Sequence, residues 1–164
     1  MKYLFFLLIL ITFGCSQAPQ VSTKEDFENY IAVLSEYQYE NSKKINESYK
    51  LLSSTESFKQ FSQEHFLTLI EEHIQNISSI KPQTKEIQDL NQLFIEALEL
   101  QYEYQVFYSE LAEQERDEAR DEEMYKKLEE SIQKTTEWKN QIQALSEKWQ
   151  VDISKTNPKQ DKGL

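Results

Sequence analysis

The chain predicts an all-α fold, an elongated up-down-up-down four-helix bundle, and three observations carry that expectation. Its 164 residues give room for one domain, and two Gly, three Pro and 29% charged residues suit helices better than turn-rich β architectures. Four stretches repeat apolar residues at helical steps of three and four, with short connections between them. One of these, TKEIQDLNQLFIEALELQYEYQVFYSEL from Thr84 to Leu111, is apolar over more than half its circumference. A helix of that kind needs neighbours on several sides and belongs at the centre of the fold.

Taken in order, the chain opens with MKYLFFLLILITFGC, one basic residue followed by an apolar run from Tyr3 to Phe13. Eleven helical residues rise only about 16 Å, against roughly 30 Å of bilayer hydrocarbon, so the run reads as a secretory segment rather than a spanning helix. Residues 1–14 are therefore expected to be cleaved. Gly14-Cys15 follows directly, and Cys15 is the single cysteine of the chain, which excludes an intramolecular disulfide.

Thr12-Phe13-Gly14-Cys15 resembles the lipobox of bacterial lipoprotein leaders, with Thr12 and Phe13 where the family carries an aliphatic and a small residue. The resemblance covers fifteen residues. It implies attachment of a diacylglyceryl group to the Cys15 thiol, cleavage between Gly14 and Cys15, and acylation of the new N-terminus. Each buried methylene contributes about 0.8 kcal/mol, so two or three chains form a stable membrane anchor.

Residues 15–21 read as a lipidated tether, polar and broken by Pro19, that keeps the folded part close to the membrane. The helical bundle is expected over 22–152. Its first helix, about 22 to 52, opens on a capping box in either of two registers, Ser22 with Glu25 or Thr23 with Asp26. Phe27, Tyr30, Ile31, Leu34, Tyr37, Ile45, Tyr49 and Leu52 form its apolar stripe. A second capping box, Ser57 with Gln60, starts a helix carrying Phe58, Phe61, Phe66, Leu69, Ile70, Ile77 and Ile80. That helix is expected to end at Lys81, because Pro82 disfavours helical geometry at the residue before it. Thr84 then caps the central helix, in which Phe94 and Leu98 are expected to be buried.

The acidic stretch ELAEQERDEARDEE, residues 110–123, contains no helix breaker, so propensity alone would allow one continuous rod and a three-helix coiled-coil body. A helix polar all round has nothing to pack against, however, and a hairpin turning near 117–121 is the expectation. The stripe then resumes as Met124, Tyr125, Leu128, Ile132, Trp138, Ile142, Leu145 and Trp149. The polar tail 153–164 is expected to be disordered.

The chemistry is read mainly from exclusions. His65 and His73 lie about 12 Å apart along one helix, too far to share a metal, and both fall on its apolar stripe, which points to packed structural roles. Di-iron bundles need Glu-x-x-His, whereas Ser62 and Ile70 stand three residues before these histidines. With Gly14 and Gly163 the only glycines, no nucleophile elbow or phosphate loop can form. Glu71 and Glu72 are adjacent and cannot face each other. No catalytic, cofactor-binding or metal-binding residue is assigned, and no enzyme activity is expected.

The formal charge of −11 becomes one unit more negative when the leader takes Lys2 away, which excludes nucleic acid and polybasic membrane attachment. Tyr37, Tyr39, Tyr102, Tyr104 and Tyr108 are expected chiefly to fill the core, with some left as partner-binding anchors. The expected function is a lipid-anchored helical interaction or scaffold protein of the bacterial cell envelope, facing outside the cytoplasm. It would be held to the cytoplasmic or outer membrane by acyl chains on Cys15 and bind an envelope protein. The alternative is an envelope carrier of a small molecule or cation, held between the helices by histidines and tyrosines.

Overall fold

The computed structural model describes residues 21–49, 65–110 and 118–153. Gly14 and Cys15, the capping box at Ser57, Phe58 and Phe61, Leu111, and the tail from 154 onward lie outside the described residues. Among the described residues there are four helices: α1 Thr23–Tyr49, α2 Leu67–Ser79, α3 Lys85–Glu110 and α4 Glu118–Trp149. They alternate in direction as a four-helix bundle.

Cross-contacts set those directions. Tyr37 of α1 meets Ser79 of α2, and Lys44 meets Glu72, so the pair is antiparallel. Tyr102 of α3 donates to Glu71 of α2, while Asn91 reaches back to the Ile77 carbonyl at 3.3 Å. Along the α3–α4 seam Lys127 pairs with Glu103, Lys134 with Glu96 at 2.8 Å, and Lys148 with Glu86 at 3.4 Å. Partly exposed pairs of this kind are each worth little, but a ladder with steadily opposed numbering fixes register. The long-rod arrangement is therefore overturned: the chain reverses between Glu110 and Glu118, and residues 118–121, where the turn was expected, are already helix.

The first helix resolves its capping register in favour of Ser22, whose Oγ accepts from the Glu25 amide at 3.2 Å. Asp26 is thereby left for another task, described below. Phe27, Tyr30, Ile31 and Leu34 follow at helical spacing and are all buried. Helix α2 stops at Ser79, before the expected Lys81, because Ile80 is already extended at φ −66°, ψ 131°. Its last carbonyls are satisfied by the Ser79 hydroxyl, bonded to the Asn76 oxygen at 2.7 Å, and by Lys81 Nζ on the Ser78 oxygen at 2.8 Å. Helix α4 ends with Gln150 at φ 55°. The Val151 amide bonds the Ser146 carbonyl at 2.9 Å and the Gln150 amide the Glu147 carbonyl at 3.3 Å, a Schellman ending whose Val151 packs back on the core.

The core forms around α3, as its wide apolar surface requires. Ile87, Leu90, Phe94, Ala97 and Leu98 are all buried. Phe94 stacks on Trp138 with ring centroids 4.0 Å apart and planes 10° from parallel. Trp138 in turn donates Nε1–H to the Tyr30 hydroxyl at 3.2 Å. Burial pushes the Tyr30 phenol up to about 12, with the Trp138 hydrogen bond acting in the opposite sense. Phe27 and Trp149 close the end of the bundle at 5.3 Å. At the other end Arg120, in the first turn of α4, lies over the Phe107 ring at 5.3 Å and pins the hairpin's outer turn to α3.

Candidate functional site

Among the described residues, two openings into the apolar interior of this bundle are bounded by α1. The first lies between α1 and α4. Helix α1 packs mainly on α2 and α3, and α4 mainly on α3, so the fourth side of the bundle is thinly closed. A groove of about 400 Å³ opens there, floored by Ile31, Leu34, Trp138 and Ile142, rimmed by Gln38 and Gln143, and ended by Ile153. Tyr125 and Ile132 precede the groove-lining Lys139 by fourteen and seven residues, which places them along the same face of α4. They are 53% and 57% exposed, although the sequence pattern assigned both to the buried stripe. The reason is geometric: α1 does not cover that face.

The second is a cavity of about 210 Å³ among α1, α2 and α3, lined by Asn41, Ile45, Leu69, Ile70, His73 and Gln101 together with Phe66 and Leu98. It forms where the α1 stripe is interrupted. Tyr37 and Ile45 are eight residues apart, and the intervening stripe position is the polar Asn41 rather than a large apolar residue. His73 is buried, its ring edge-on to Phe94 at 5.9 Å, and its Nδ1 is sealed with no hydrogen-bond partner among the described residues. His65 is instead exposed, contrary to the packed role its place on the stripe implied. The backbone makes a wider, π-type turn at 65–66, which shifts the helical phase there relative to the regular helix that follows.

Burial holds the His73 imidazole below the ordinary histidine range. Because the native pKa lies below the unfolded value of about 6.5, the unfolded chain binds more protons between the two. The stability associated with a neutral His73 is complete above that unfolded value and declines as the pH falls from it toward the native pKa. We expect the urea midpoint to fall more steeply between pH 7 and pH 5 in the wild type than in His73→Phe. Identical slopes would show that His73 is not buried in its neutral form.

The tyrosines occupy the margin of the core. Tyr37, Tyr39, Tyr102, Tyr104 and Tyr108 are all half-buried. Tyr104, Tyr108 and Tyr125 cluster at the far end of the α3–α4 hairpin, with Tyr104 and Tyr108 centroids 4.7 Å apart and Tyr125 6.1 Å from Tyr108. Desolvation, with contributions from Tyr125 and Asp121, raises the Tyr108 phenol above its usual range. Glu71 and Glu72 face different neighbours, Glu71 toward Tyr102 and Glu72 toward Lys44.

Asn41 and Gln101 were not singled out from sequence, although a polar residue on an apolar helical face was a readable signal at Asn41. Among the described residues, no group of three or more His, Cys, Asp or Glu is placed to hold a metal ion. Nor is any helix among them long and apolar enough to cross a membrane. No protein-family model, curated protein or solved structure matches the chain.

Proposed function

We propose that this protein is a lipid-anchored helical interaction module of the bacterial cell envelope, held at the membrane through Cys15 and docking an envelope protein in the α1–α4 groove. The observation that carries the docking reading is the open apolar side of the bundle: a groove of about 400 Å³ floored by Ile31, Leu34, Trp138 and Ile142, with Ile132 exposed seven residues before the groove-lining Lys139. Its apolar floor suits an amphipathic helix laid into the groove. The strongly negative surface favours a basic partner by long-range attraction. The anchoring half of the reading is supported by the leader ending at Gly14-Cys15.

The test places a photo-crosslinking residue at Gln38, at Gln143 or at the exposed Asp89 on α3, in the full-length protein in its native membrane. One crosslinked species from both groove positions and none from Asp89 is the expected result. In the same cells Cys15→Ser should abolish incorporation of labelled fatty acid, since the thiol is the group that forms the thioether. Crosslinks of equal yield from all three positions would overturn the docking site, and acyl label persisting in Cys15→Ser would overturn the anchor.

A further inference from the structure

We infer that the cavity at His73 is a binding site for a small neutral molecule, an apolar body about one ring in size that bears a hydrogen-bond acceptor. The site is separate from the α1–α4 groove, being walled by α1, α2 and α3, so it stands or falls independently of the docking reading.

Size sets the first limit. An engineered apolar cavity of about 150 Å³ takes up benzene. At about 210 Å³ the space among Ile45, Leu69, Ile70 and Leu98 accommodates a single ring with a short substituent. Among the described residues its lining carries no charged side chain, which sets the second, because an ion would lose its hydration there without a counter-charge. A neutral ligand is what remains.

The polar edge of the site specifies the substituent. His73 is held neutral by burial, so one ring nitrogen carries a proton and the other a lone pair. Nδ1 is sealed and has no partner among the described residues. A sealed N–H with no acceptor costs its full desolvation, whereas an N–H that reaches the cavity can be met there, which places the proton on Nε2 and leaves Nδ1 as the unprotonated atom. Since His73 lines the cavity while Nδ1 is closed off, the Nε2–H edge is the one that meets the space. That bond is a donor awaiting an acceptor, and the amides of Asn41 and Gln101 offer further polar contacts on the same lining.

Acetophenone and ethylbenzene form a matched pair of probes, nearly equal in size, of which only the first has a carbonyl acceptor. They are titrated into the full-length protein in detergent micelles, with partitioning into protein-free micelles subtracted. The His73 ring nitrogens are followed by long-range proton–nitrogen correlation. Acetophenone is expected to bind saturably, to shift Nε2, and to bind about fivefold more tightly than ethylbenzene, the gain from one net hydrogen bond. His73→Phe should keep ethylbenzene binding and erase the preference. Gln101→Trp, at a half-buried lining position, should block both probes while leaving the core residues in place. Failure of either probe to saturate would show that the space holds only water and overturn the inference. Equal affinities in the wild type would overturn the donor assignment, and undiminished binding in Gln101→Trp would overturn the location.

Discussion

Phe94→Ala is expected to remove about 3 to 5 kcal/mol of stability, a large share of the roughly 5 to 15 kcal/mol that holds a domain of this size together. Three elements depend on that ring. It projects from α3, stacks on Trp138 of α4 at 4.0 Å and meets the edge of His73 of α2 at 5.9 Å. Truncation leaves a void beside a cavity that His73 already lines, and the stiff aromatic neighbours cannot collapse into it. The hydrogen bond from Trp138 to Tyr30 also loses the stacked partner that orients its indole. By contrast Glu118→Ala, at an exposed position in the first turn of α4, should shift stability by less than about 0.5 kcal/mol. Chemical denaturation of the full-length variants provides the comparison. Equal small effects would mean that α3 is a peripheral element rather than the centre of the core.

How far the sequence reveals this fold depends on the range of each interaction. The central role of α3 is readable because its stripe is too wide to bury on one neighbour, and Phe94 and Leu98 are buried as that stripe requires. The hairpin between α3 and α4 is readable from the polar stretch, but its place is not. Asp121 and Glu118 both suit a helix N-terminus electrostatically, so only packing chooses between them. His65 was misread because a wide turn at 65–66 changes the phase of the helix, and apolar spacing alone carries no sign of it. Ile132 and Tyr125 were misread for the opposite reason. Their spacing is right for a core face, but burial also needs a partner, and α1 leaves that face open. The cavity followed a signal that was present, the polar Asn41 on an apolar face. The pairing of that signal with His73 and Gln101 on two other helices depends on tertiary structure, which lies beyond any local pattern.

Asp26→Ala is the second large effect, expected to cost about 3 kcal/mol, and it rests on contacts 57 and 58 residues away in sequence. The carboxylate is buried, 4% exposed, in the first turn of α1. It accepts the Gln83 amide at 3.0 Å, the Thr84 amide at 2.7 Å and the Thr84 hydroxyl at 2.6 Å. These donors stand in the turn between α2 and α3, so one side chain of α1 fixes the point at which the central helix begins. Thr84 holds the residue before α3, as its type suggests, but its hydroxyl is given to Asp26. Charge-assisted bonds to a buried carboxylate are worth about 1.5 to 3 kcal/mol, and their loss leaves the Gln83 and Thr84 amides without this acceptor. Asp26→Asn keeps the shape and one acceptor but replaces the other oxygen with a donor facing donors, and should cost an intermediate amount, about 1 to 2 kcal/mol. Glu28→Ala, an exposed acid two residues on whose partner is Lys24, should change little. Equilibrium denaturation ranks the three variants, and hydrogen exchange at the Gln83 and Thr84 amides reports the clasp itself. If Asp26→Ala were no more destabilising than Glu28→Ala, and both amides kept their protection, the buried carboxylate would not be what joins α1 to the start of α3.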